Sequence, residues 1–281
     1  MTSSGIPAFW FERARAMLNG ELVPVEARRA ATVVLLRRRP EGLEAYLLRR
    51  HAGMKFAAGV YAFPGGGVDP RDADHEVAWA GPTPEEWAKR LRTSPAEARA
   101  IVAAAVRETF EESGVLLAGP DTGSVVSDTT GDDWEADRAA LVGRKLGLTE
   151  FLGRRGLVLR SDLLGAWSRW ITPEFEEHRY DTWFFVAALP DGQRTRDVSG
   201  EADRVAWARP ADALAVVKAG RFGMLPPTVE TLRNMTAYEV PAEALDASAA
   251  RDLAPVMARP RYEGDKLVIA WPGIPDPFGT A

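Results

Sequence analysis

The chain has 281 residues, of which 46% are hydrophobic and 27% charged, with a net charge of −5, three histidines and no cysteine. This composition is that of a folded protein, and it excludes a disulfide framework, thiolate metal sites, a cysteine nucleophile and a histidine-rich metal site. The acidic balance argues against nucleic-acid binding. Oxygen-ligated cations such as Mg²⁺, Mn²⁺ or Ca²⁺ are the metals to expect.

The first half of the chain predicts short strands around one strong helix. The β-branched run 30–36 indicates a buried strand, and 43–50 follows a polar turn as its hairpin partner. A short strand broken by a proline and three glycines is expected within 60–70. Apolar side chains recur at helical spacing in 95–113 and a glycine follows, which predicts a helix with a C-cap. A strand is expected to restart at 115–117.

The second half of the chain predicts a helical stretch, more strands and C-terminal helices. The predicted elements are a helical stretch from 133 to about 155, strands at 168–172, 181–189 and 204–208, and helices at 210–220, 226–238 and 241 to about 253. Because strands alternate with helices, we expect an α/β domain. The predicted division is an N-terminal segment (1–29), a domain (30–240) with an insertion at 71–98 and a helical segment at 133–167, and a C-terminal tail packed on the domain (241–281).

Three glutamates lie on one turn of the helix predicted at 95–113. Glu108, Glu111 and Glu112 are spaced i, i+3 and i+4, which places their carboxylates on one face within about 6 Å of one another. Arg107 can pair with Glu111 but cannot neutralise all three, and the helix dipole disfavours negative charge at this end. A bound divalent cation would offset the repulsion. A solvated acidic face is the alternative, but the apolar opposite face and the upstream glycines favour a site.

The same residues resemble a known motif. RETFEESGV (107–115) resembles the second half of the Nudix box, G-x5-E-x7-R-E-U-x-E-E-x-G-U with U bulky and apolar, and departs from it only at Thr109. FPGGGVD (63–69) resembles the loop that opens this box. Three further segments are similar to the Nudix motif 19 subgroup, whose animal members cleave coenzyme A and its acyl esters: 47–69, 170–185 and 225–235. The resemblance implies a Nudix α/β/α sandwich with a mixed β-sheet, a helical insertion within the box and a helical C-terminal tail.

The first half of the box departs from the pattern. Gly66 precedes Arg107 by 41 residues instead of 14, which implies an insertion of about 27 residues inside the box. The position eight residues before Arg107 holds Arg99, and the nearby Glu97 is out of register. The role of the first glutamate of the box is therefore interpreted as unfilled or relocated.

The resemblance implies a Mg²⁺- or Mn²⁺-dependent diphosphatase, a hydrolase acting on acid anhydrides in phosphorus-containing compounds, with coenzyme A or an acyl-coenzyme A as its substrate. Glu111 and Glu112 are expected to bind the metal directly, with the backbone carbonyl of Gly66 as a further ligand. Glu108 is expected as a ligand or as the base that orients the water, and Glu111 also counts among the catalytic groups. Arg107 is expected to hold the glutamates in place rather than to touch the substrate.

Two further groups of residues are candidates for the site. Glu201, in the loop before a late strand, is expected as a base or an extra metal ligand, with an exposed loop residue as the alternative and Asp203 as its substitute. Three consecutive glycines let the backbone approach a ligand closely. For Arg49 and Arg50, which end a predicted strand, exposure to solvent explains the two charges equally well. The residues expected to bind the substrate are Gly65, Gly66, Gly67, Arg49 and Arg50.

Alternatives to this interpretation stay open. The chain could be a Nudix hydrolase acting on ADP-ribose, NADH or other nucleotide diphosphates, or a non-catalytic Nudix module that senses a nucleotide. The intact carboxylates argue against the sensing module, and the missing first glutamate argues for it. A nucleic-acid decapping or binding protein would need a basic patch with interleaved aromatic residues, which the sequence lacks.

The expected partner is a small-molecule nucleotide diphosphate, with no nucleic acid and no membrane, and a homodimer stays open as the assembly. No apolar run approaches the roughly 18 residues that a membrane helix needs. The first residues make a poor signal peptide, because charges follow directly after a short apolar patch. We therefore expect a cytoplasmic protein.

Overall fold

The computed structural model describes residues 6, 8–51, 53, 59–197 and 202–279. The helices are α1 (Ala8–Leu18), α2 (Pro84–Leu91), α3 (Pro95–Ser113), α4 (Asp132–Val142), α5 (Leu148–Arg154), α6 (Pro210–Lys218), α7 (Pro226–Met235) and α8 (Pro241–Ser248), with short 3-10 helices at Pro70–Ala73 and Ser161–Leu163. The strands are β1 (Arg28–Arg39), β2 (Gly42–Arg50), β3 (Tyr61–Ala62), β4 (Gly65–Gly67), β5 (Trp79–Ala80), β6 (Ala118–Gly119), β7 (Val158–Arg160), β8 (Gly165–Ile171), β9 (Tyr180–Ala188), β10 (Ala202–Ala208), β11 (Pro255–Val256), β12 (Arg259–Glu263) and β13 (Lys266–Ala270).

A mixed sheet forms the centre of the described part of the chain. Its strand order is β10-β2-β1-β9-β8-β11, with β3 paired to β2 and β4 paired to β1. Strands β1 and β9 are parallel, whereas β1 with β2 and β8 with β9 are antiparallel. The predicted hairpin and the predicted later strand pair are therefore both confirmed. The expectation of a mixed sheet is confirmed as well.

Strand β1 separates two hydrophobic cores. Val33 and Leu35 face a core shared with α2, α3 and α5, while Val34 and Leu36 face a core shared with α1, α6 and α7. All four side chains are fully buried, so this alternation follows the two-residue period of a strand. Each such burial stabilises the fold by about 1.5–3 kcal/mol. Helices on both faces of the sheet give the α/β/α sandwich that the resemblance implied.

Two predicted elements in the middle of the chain differ from the structure. Residues 115–117 are buried but form no strand, because the side-chain amide of Gln193 makes the hydrogen bonds to the backbone of Leu116 that a neighbouring strand would otherwise make. The helical stretch predicted from 133 to about 155 is two helices, α4 and α5. The chain turns between them at Arg144, whose φ of 55° is incompatible with a continuing right-handed helix.

The C-terminal part of the chain is less helical than predicted. Helix α8 ends at Ser248, five residues before the predicted end at Leu253. Strand β11 then pairs with β8, and β12 and β13 form an antiparallel hairpin. Trp271, after this hairpin, packs against Trp10 of α1 with ring centroids 5.9 Å apart. None of the helices in the described ranges is long and apolar enough to cross a membrane.

The segment predicted as an insertion contributes to the core beside α3. Strand β5 pairs with β7, and α2 packs along α3 with Trp87 and Leu91 buried. Helix α2 begins at a capping box formed by Thr83 and Glu86. It ends at Arg92, which adopts a left-handed φ of 57°. The segment therefore supports the helix that carries the three glutamates.

Candidate active site

Helix α3 has the bounds that the sequence predicts. At its start, the Ser94 hydroxyl accepts a hydrogen bond from the Glu97 amide (3.3 Å), and the Glu97 carboxylate accepts one from the Ser94 amide (3.1 Å). At its end, Gly114 adopts a φ of 73°, and its amide donates to the carbonyl of Phe110 (2.9 Å). Small side chains let the middle of the helix pack closely against its neighbours, and Ala103, Ala104 and Ala105 are buried.

Arg107 lies at the centre of a buried polar network, with only 8% of its surface exposed. Its Nε and Nη2 donate to the two carboxylate oxygens of Asp72 at 3.0 and 2.9 Å, and Nη2 also donates to the carbonyl of Gly67 at 2.8 Å. Its Nη1 donates to Glu108 (2.6 Å) and Glu111 (3.2 Å). Burial lowers the pKa of Arg107, but Asp72 and the two glutamates raise it well above its ordinary value.

Glu108 and Glu111 share one nitrogen of Arg107. Their side chains are mostly buried, with 13% and 12% exposed. Burial raises the pKa of Glu108 to about 7; Arg107 opposes this rise, and the charge of Glu111 adds to it. Burial likewise raises the pKa of Glu111, again against the effect of Arg107. Two carboxylates so poorly hydrated and so close together favour the approach of a further cation.

The glycine loop packs directly against the glutamates. The amide of Gly65 donates to Oε2 of the buried Glu112 at 2.7 Å. A Cβ on Gly66 would lie 2.5–2.6 Å from the carboxylate of Glu108, and a Cβ on Gly65 would lie 2.5 Å from the backbone oxygen of Ala31. A Cβ on Gly67 would meet nothing within 4 Å. The first two glycines are therefore required by close approach to β1 and to α3.

Asp72 is the site residue that the sequence analysis missed. It lies in the 3-10 helix Pro70–Ala73, which Asp69 caps by accepting from the amide of Arg71, while Asp72 accepts from the amide of Asp69 (2.8 Å). Counting forward from Gly66, Asp72 stands at the position of the first glutamate of the box. Counting back from Arg107 crosses the insertion and loses this register. The insertion therefore follows Asp72, and the charge of the first glutamate is supplied by an aspartate.

Glu97 does not serve as that first glutamate. It lies at the opposite end of α3 from Glu108, and eleven residues of helix separate the two by about 16 Å. The Thr93 hydroxyl and the Ser94 backbone donate to its carboxylate and lower its pKa to about 2. Arg29 pairs with the same carboxylate. Glu97 therefore caps the helix.

Of the remaining predicted site residues, Arg49 and Arg50 lie on β2 and Asp203 lies on β10. Arg49 donates to both carboxylate oxygens of Asp203, at 2.6 and 2.8 Å, and this ion pair lies near the surface. Arg50 is half-buried and pairs in the sheet register with Ala202. Glu201 lies outside the described residues. The roles expected for these residues stay predictions.

The described part of the loop before Glu201 is anchored to the end of α3. The amide of Arg196 donates to the carbonyl of Ser113 (2.9 Å), and the hydroxyl of Tyr46 donates to the carbonyl of Arg196 (3.2 Å). Burial raises the pKa of Tyr46, and the charges of Asp197 and Glu112 add to the rise. Arg196 therefore lies beside the last turn of α3.

The donors present suit a divalent metal by their chemistry. In the part of the chain that the structure describes, no group of three or more histidine or acidic side chains is placed to hold a metal ion. Glu108 and Glu111 contact Arg107, and Glu112 contacts Gly65. The donors are all oxygens and are poorly hydrated, which matches the preference of Mg²⁺ and Mn²⁺. The expected three-glutamate metal site stays a prediction.

Comparison with known proteins decides the family. A family model described as the NUDT19 Nudix domain matches residues 85–235, more than half of the chain. This chain belongs to the Nudix hydrolase family. The resemblance to the Nudix motif 19 subgroup is thereby confirmed. The match spans α3 with its glutamates and extends to the end of α7.

Curated relatives of the chain are longer than the region they share with it. Nudix hydrolase 7 of Caenorhabditis elegans is 25% identical over 214 residues, covering 74% of this chain and 60% of that protein. The acyl-coenzyme A diphosphatase NUDT19 of Xenopus laevis is 26% identical over 143 residues, covering 47% of this chain and 38% of that protein. The chain thus spans less than two thirds of the length of these relatives.

A solved structure confirms the fold. The crystal structure of a NUDIX hydrolase from Alicyclobacillus acidocaldarius superposes on this chain with a TM-score of 0.66 and is 27% identical in sequence. The superposition covers 82% of this chain and 99% of that one. The predicted Nudix α/β/α sandwich is therefore confirmed.

Proposed function

We propose that this chain is a divalent-metal-dependent diphosphatase that hydrolyses the diphosphate bond of coenzyme A or of an acyl-coenzyme A. The observation that carries the proposal is the buried network in which Arg107 contacts both Glu108 and Glu111 while Glu112 contacts the glycine loop. The name of the Xenopus laevis relative, an acyl-coenzyme A diphosphatase, supports the choice of substrate.

The chemistry follows from the charge of the substrate. In the hydrolysis, a water oxygen bonds to one phosphorus, the P–O–P bridge breaks, and each product keeps a phosphate. Bound Mg²⁺ or Mn²⁺ would neutralise phosphate oxygens and acidify the water. Glu111, Glu112 and the carbonyl of Gly66 are the proposed ligands, and Glu108 is either a further ligand or the base. The water proton goes to a carboxylate, for which Glu108 and Glu201 are the proposed groups.

Arg107 is proposed to position the carboxylates rather than to bind the substrate. All three of its nitrogens already donate hydrogen bonds within the protein, to Asp72, Gly67, Glu108 and Glu111. Its burial leaves little surface for a phosphate to approach. Arg107 thus keeps two like-charged side chains at one place, where mutual repulsion would otherwise separate them.

Asp72 weakens the case for a non-catalytic sensing module. That alternative drew its support from the missing first glutamate of the box. Asp72 stands at that position counted from Gly66, and its carboxylate binds Arg107 through two hydrogen bonds. A binding module would have no need to maintain such a network beneath three repelling carboxylates. These contacts favour catalysis.

A substrate panel tests the proposal. Coenzyme A, an acyl-coenzyme A, ADP-ribose and NADH are each incubated with Mg²⁺ or Mn²⁺ and either the wild type or Glu112→Gln. We expect the coenzyme A compounds to be cleaved fastest. Glu112→Gln keeps an acceptor for the Gly65 amide but removes the charge, so its kcat should fall at least about a hundredfold, which corresponds to about 2.7 kcal/mol of transition-state stabilisation.

A matched substitution controls for unspecific effects. Glu150→Gln removes a surface carboxylate that pairs with Arg154 on α5, and its kcat should equal that of the wild type. Circular dichroism and thermal melting verify that both variants fold. Absence of turnover for every compound contradicts the proposal, and so does full activity of Glu112→Gln. If ADP-ribose or NADH is cleaved faster than coenzyme A, the proposed substrate is wrong but the proposed diphosphatase activity stands.

A further inference from the structure

Residues outside the Nudix box donate hydrogen bonds to the last turn of α3. The final carbonyl groups of a helix have no partner within it. Here the carbonyl of Glu111 accepts a hydrogen bond from Nη1 of Arg138 at 2.6 Å, and the carbonyl of Ser113 accepts one from the backbone amide of Arg196 at 2.9 Å. The turn that carries Glu111 is therefore fixed from α4 and from the loop before β10.

Arg138 is held in a defined orientation by Glu135. The side chain of Arg138 is only 8% exposed, and its Nε and Nη2 donate to the carboxylate of Glu135 at 3.0 and 2.6 Å. Glu135 also accepts a hydrogen bond from Nη1 of Arg196 at 2.9 Å. A guanidinium constrained in this way presents Nη1 to Glu111 with little freedom to move away.

Aromatic packing keeps α4 against α3. Phe110, which is fully buried, stacks on Phe151 of α5 with ring centroids 5.2 Å apart. Trp134 of α4 packs edge-on against Phe110, with ring centroids 6.4 Å apart. Arg138 therefore belongs to a helix that packs on α3, and its contact with Glu111 is made from that helix.

The position of Arg138 answers an electrostatic problem of the site. The C-terminal end of α3 carries the negative end of the helix dipole together with three glutamates. Arg138 places a buried positive charge at this end and donates its hydrogen bond to the backbone carbonyl of Glu111 rather than to the Glu111 carboxylate. It therefore offsets negative charge without occupying the carboxylate oxygens.

We propose that Arg138 is a positioning residue for metal binding, which fixes the backbone of Glu111 through its hydrogen bond and so presents the Glu111 carboxylate to a divalent cation. This inference rests on the proposed function of the three glutamates as a metal site. It assigns a role in that site to the helical segment α4, which lies outside the Nudix box.

The test measures metal affinity without substrate. Mn²⁺ is titrated into the wild type and into Arg138→Gln, and free Mn²⁺ is followed by electron paramagnetic resonance. We expect the dissociation constant to rise about tenfold, as for outer residues that orient a metal ligand. In Mg²⁺-dependent turnover, the Mg²⁺ concentration for half activation should rise, while the KM for the substrate at saturating Mg²⁺ should not change. Arg138→Lys keeps a charged donor and should restore part of the affinity.

Arg155→Gln is the matched control. Arg155 pairs with Asp133 and Asp137 of α4 and lies over the ring of Trp134 at 3.6 Å, so its loss loosens α4 without removing the contact to Glu111. Its Mn²⁺ affinity should equal that of the wild type. If Arg138→Gln does not fold, Glu135→Gln, which removes the acceptor that orients Arg138, should weaken Mn²⁺ binding severalfold.

The outcomes separate the two proposals. Unchanged Mn²⁺ affinity in Arg138→Gln, or in Glu135→Gln where that variant replaces it, overturns the role of Arg138 even if the wild type cleaves coenzyme A. Equal weakening in Arg155→Gln also overturns it, because docking of α4 would then explain the effect. If the wild type cleaves no diphosphate but its Mn²⁺ affinity depends on Arg138, the diphosphatase proposal fails and the positioning role stands.

Discussion

At the scale of single residues, the pair of Asp72 and Arg107 joins the glycine loop to the glutamate helix. Asp72 is 3% exposed, and the pair is made through two parallel hydrogen bonds. Such a pair is sensitive to the loss of either partner, because the remaining charge stays buried without compensation. The two residues are 35 positions apart, so the contact also closes a long stretch of chain.

Asp72→Asn should destabilise the protein more than a surface substitution of the same kind. Asparagine retains the shape and an acceptor for the Asp69 amide, but it removes the charge opposite Arg107. We expect the free energy of unfolding to fall by about 3 kcal/mol, measured by urea denaturation. Asp203→Asn, which breaks the exposed pair with Arg49, should cost less than about 1 kcal/mol. Equal losses in the two variants would contradict the buried role of Asp72.

Changing the first two glycines of β4 to alanine should affect different properties, stability for Gly65 and activity for Gly66. In Gly65→Ala the new Cβ meets the backbone of Ala31 and Thr32, so about 2 kcal/mol of stability should be lost through overpacking. In Gly66→Ala it meets the end of the Glu108 side chain, which can shift. That variant should keep most of its stability but lose at least about tenfold in kcat, since a displaced ligand binds the metal poorly.

Thermal melting and steady-state kinetics on both alanine variants decide between these outcomes. The pattern expected is a low melting temperature for Gly65→Ala and a low kcat for Gly66→Ala. Full activity in a stable Gly66→Ala variant would show that the position of the Glu108 carboxylate does not matter for the reaction.

At the scale of elements, α3 is stabilised at both ends by different means. Its first turn is closed by the capping box of Ser94 and Glu97, and its last turn by Gly114 and by donors from outside the helix. The helix dipole favours a carboxylate at the first turn and disfavours the glutamates at the last. The start of the helix can therefore be altered to measure stability without changing the groups proposed for catalysis.

Glu97→Gln should lower stability in a pH-dependent way. The pKa of Glu97 falls from an ordinary 4.5 to about 2, so its ionised form stabilises the fold above pH 4.5, and this contribution is lost as the pH falls towards 2. Since Glu97 is about a third exposed, we expect a loss of about 1 kcal/mol at pH 7. Urea denaturation between pH 7 and pH 3 should show the gap to wild type closing.

Glu263→Gln provides the reference for this pH series. Glu263 pairs with Arg261 on the exposed hairpin, where the substitution should change stability very little at any pH. A constant gap between wild type and Glu97→Gln from pH 7 to pH 3 would contradict the ionised capping role.

At the scale of the whole molecule, the alternation of strands and helices predicted an α/β domain, and the resemblance to the Nudix family implied the sandwich. The β-branched run in β1 and the helical spacing of apolar residues in α3 each indicated the element that the structure shows. The strand predicted at 115–117 does not form, because an apolar run next to a helix end is equally compatible with a strand or a buried coil. Gln193, distant in sequence, makes the hydrogen bonds that decide between them.

The parts of the candidate site that depend on neighbouring residues in the sequence were predictable. The i, i+3 and i+4 glutamates and the close-packed glycines follow from a few neighbouring residues. Asp72, Arg138 and Arg196 act through contacts between residues far apart in sequence, which periodicity does not reveal. Asp72 alone had a usable signal, namely its position counted forward from Gly66.

The long insertion lies in the stretch of chain between Asp72 and Arg107, two residues that contact each other. The hydrogen bonds between Asp72 and Arg107 close this stretch of chain into a loop. Lengthening a loop about fourfold, from 8 to 35 residues, adds only about 1.2 kcal/mol of closure entropy. Burial of Trp87 and Leu91 against α3 offsets that amount. This stretch of chain is therefore a location where length can vary among related proteins while the geometry of the glutamates is preserved.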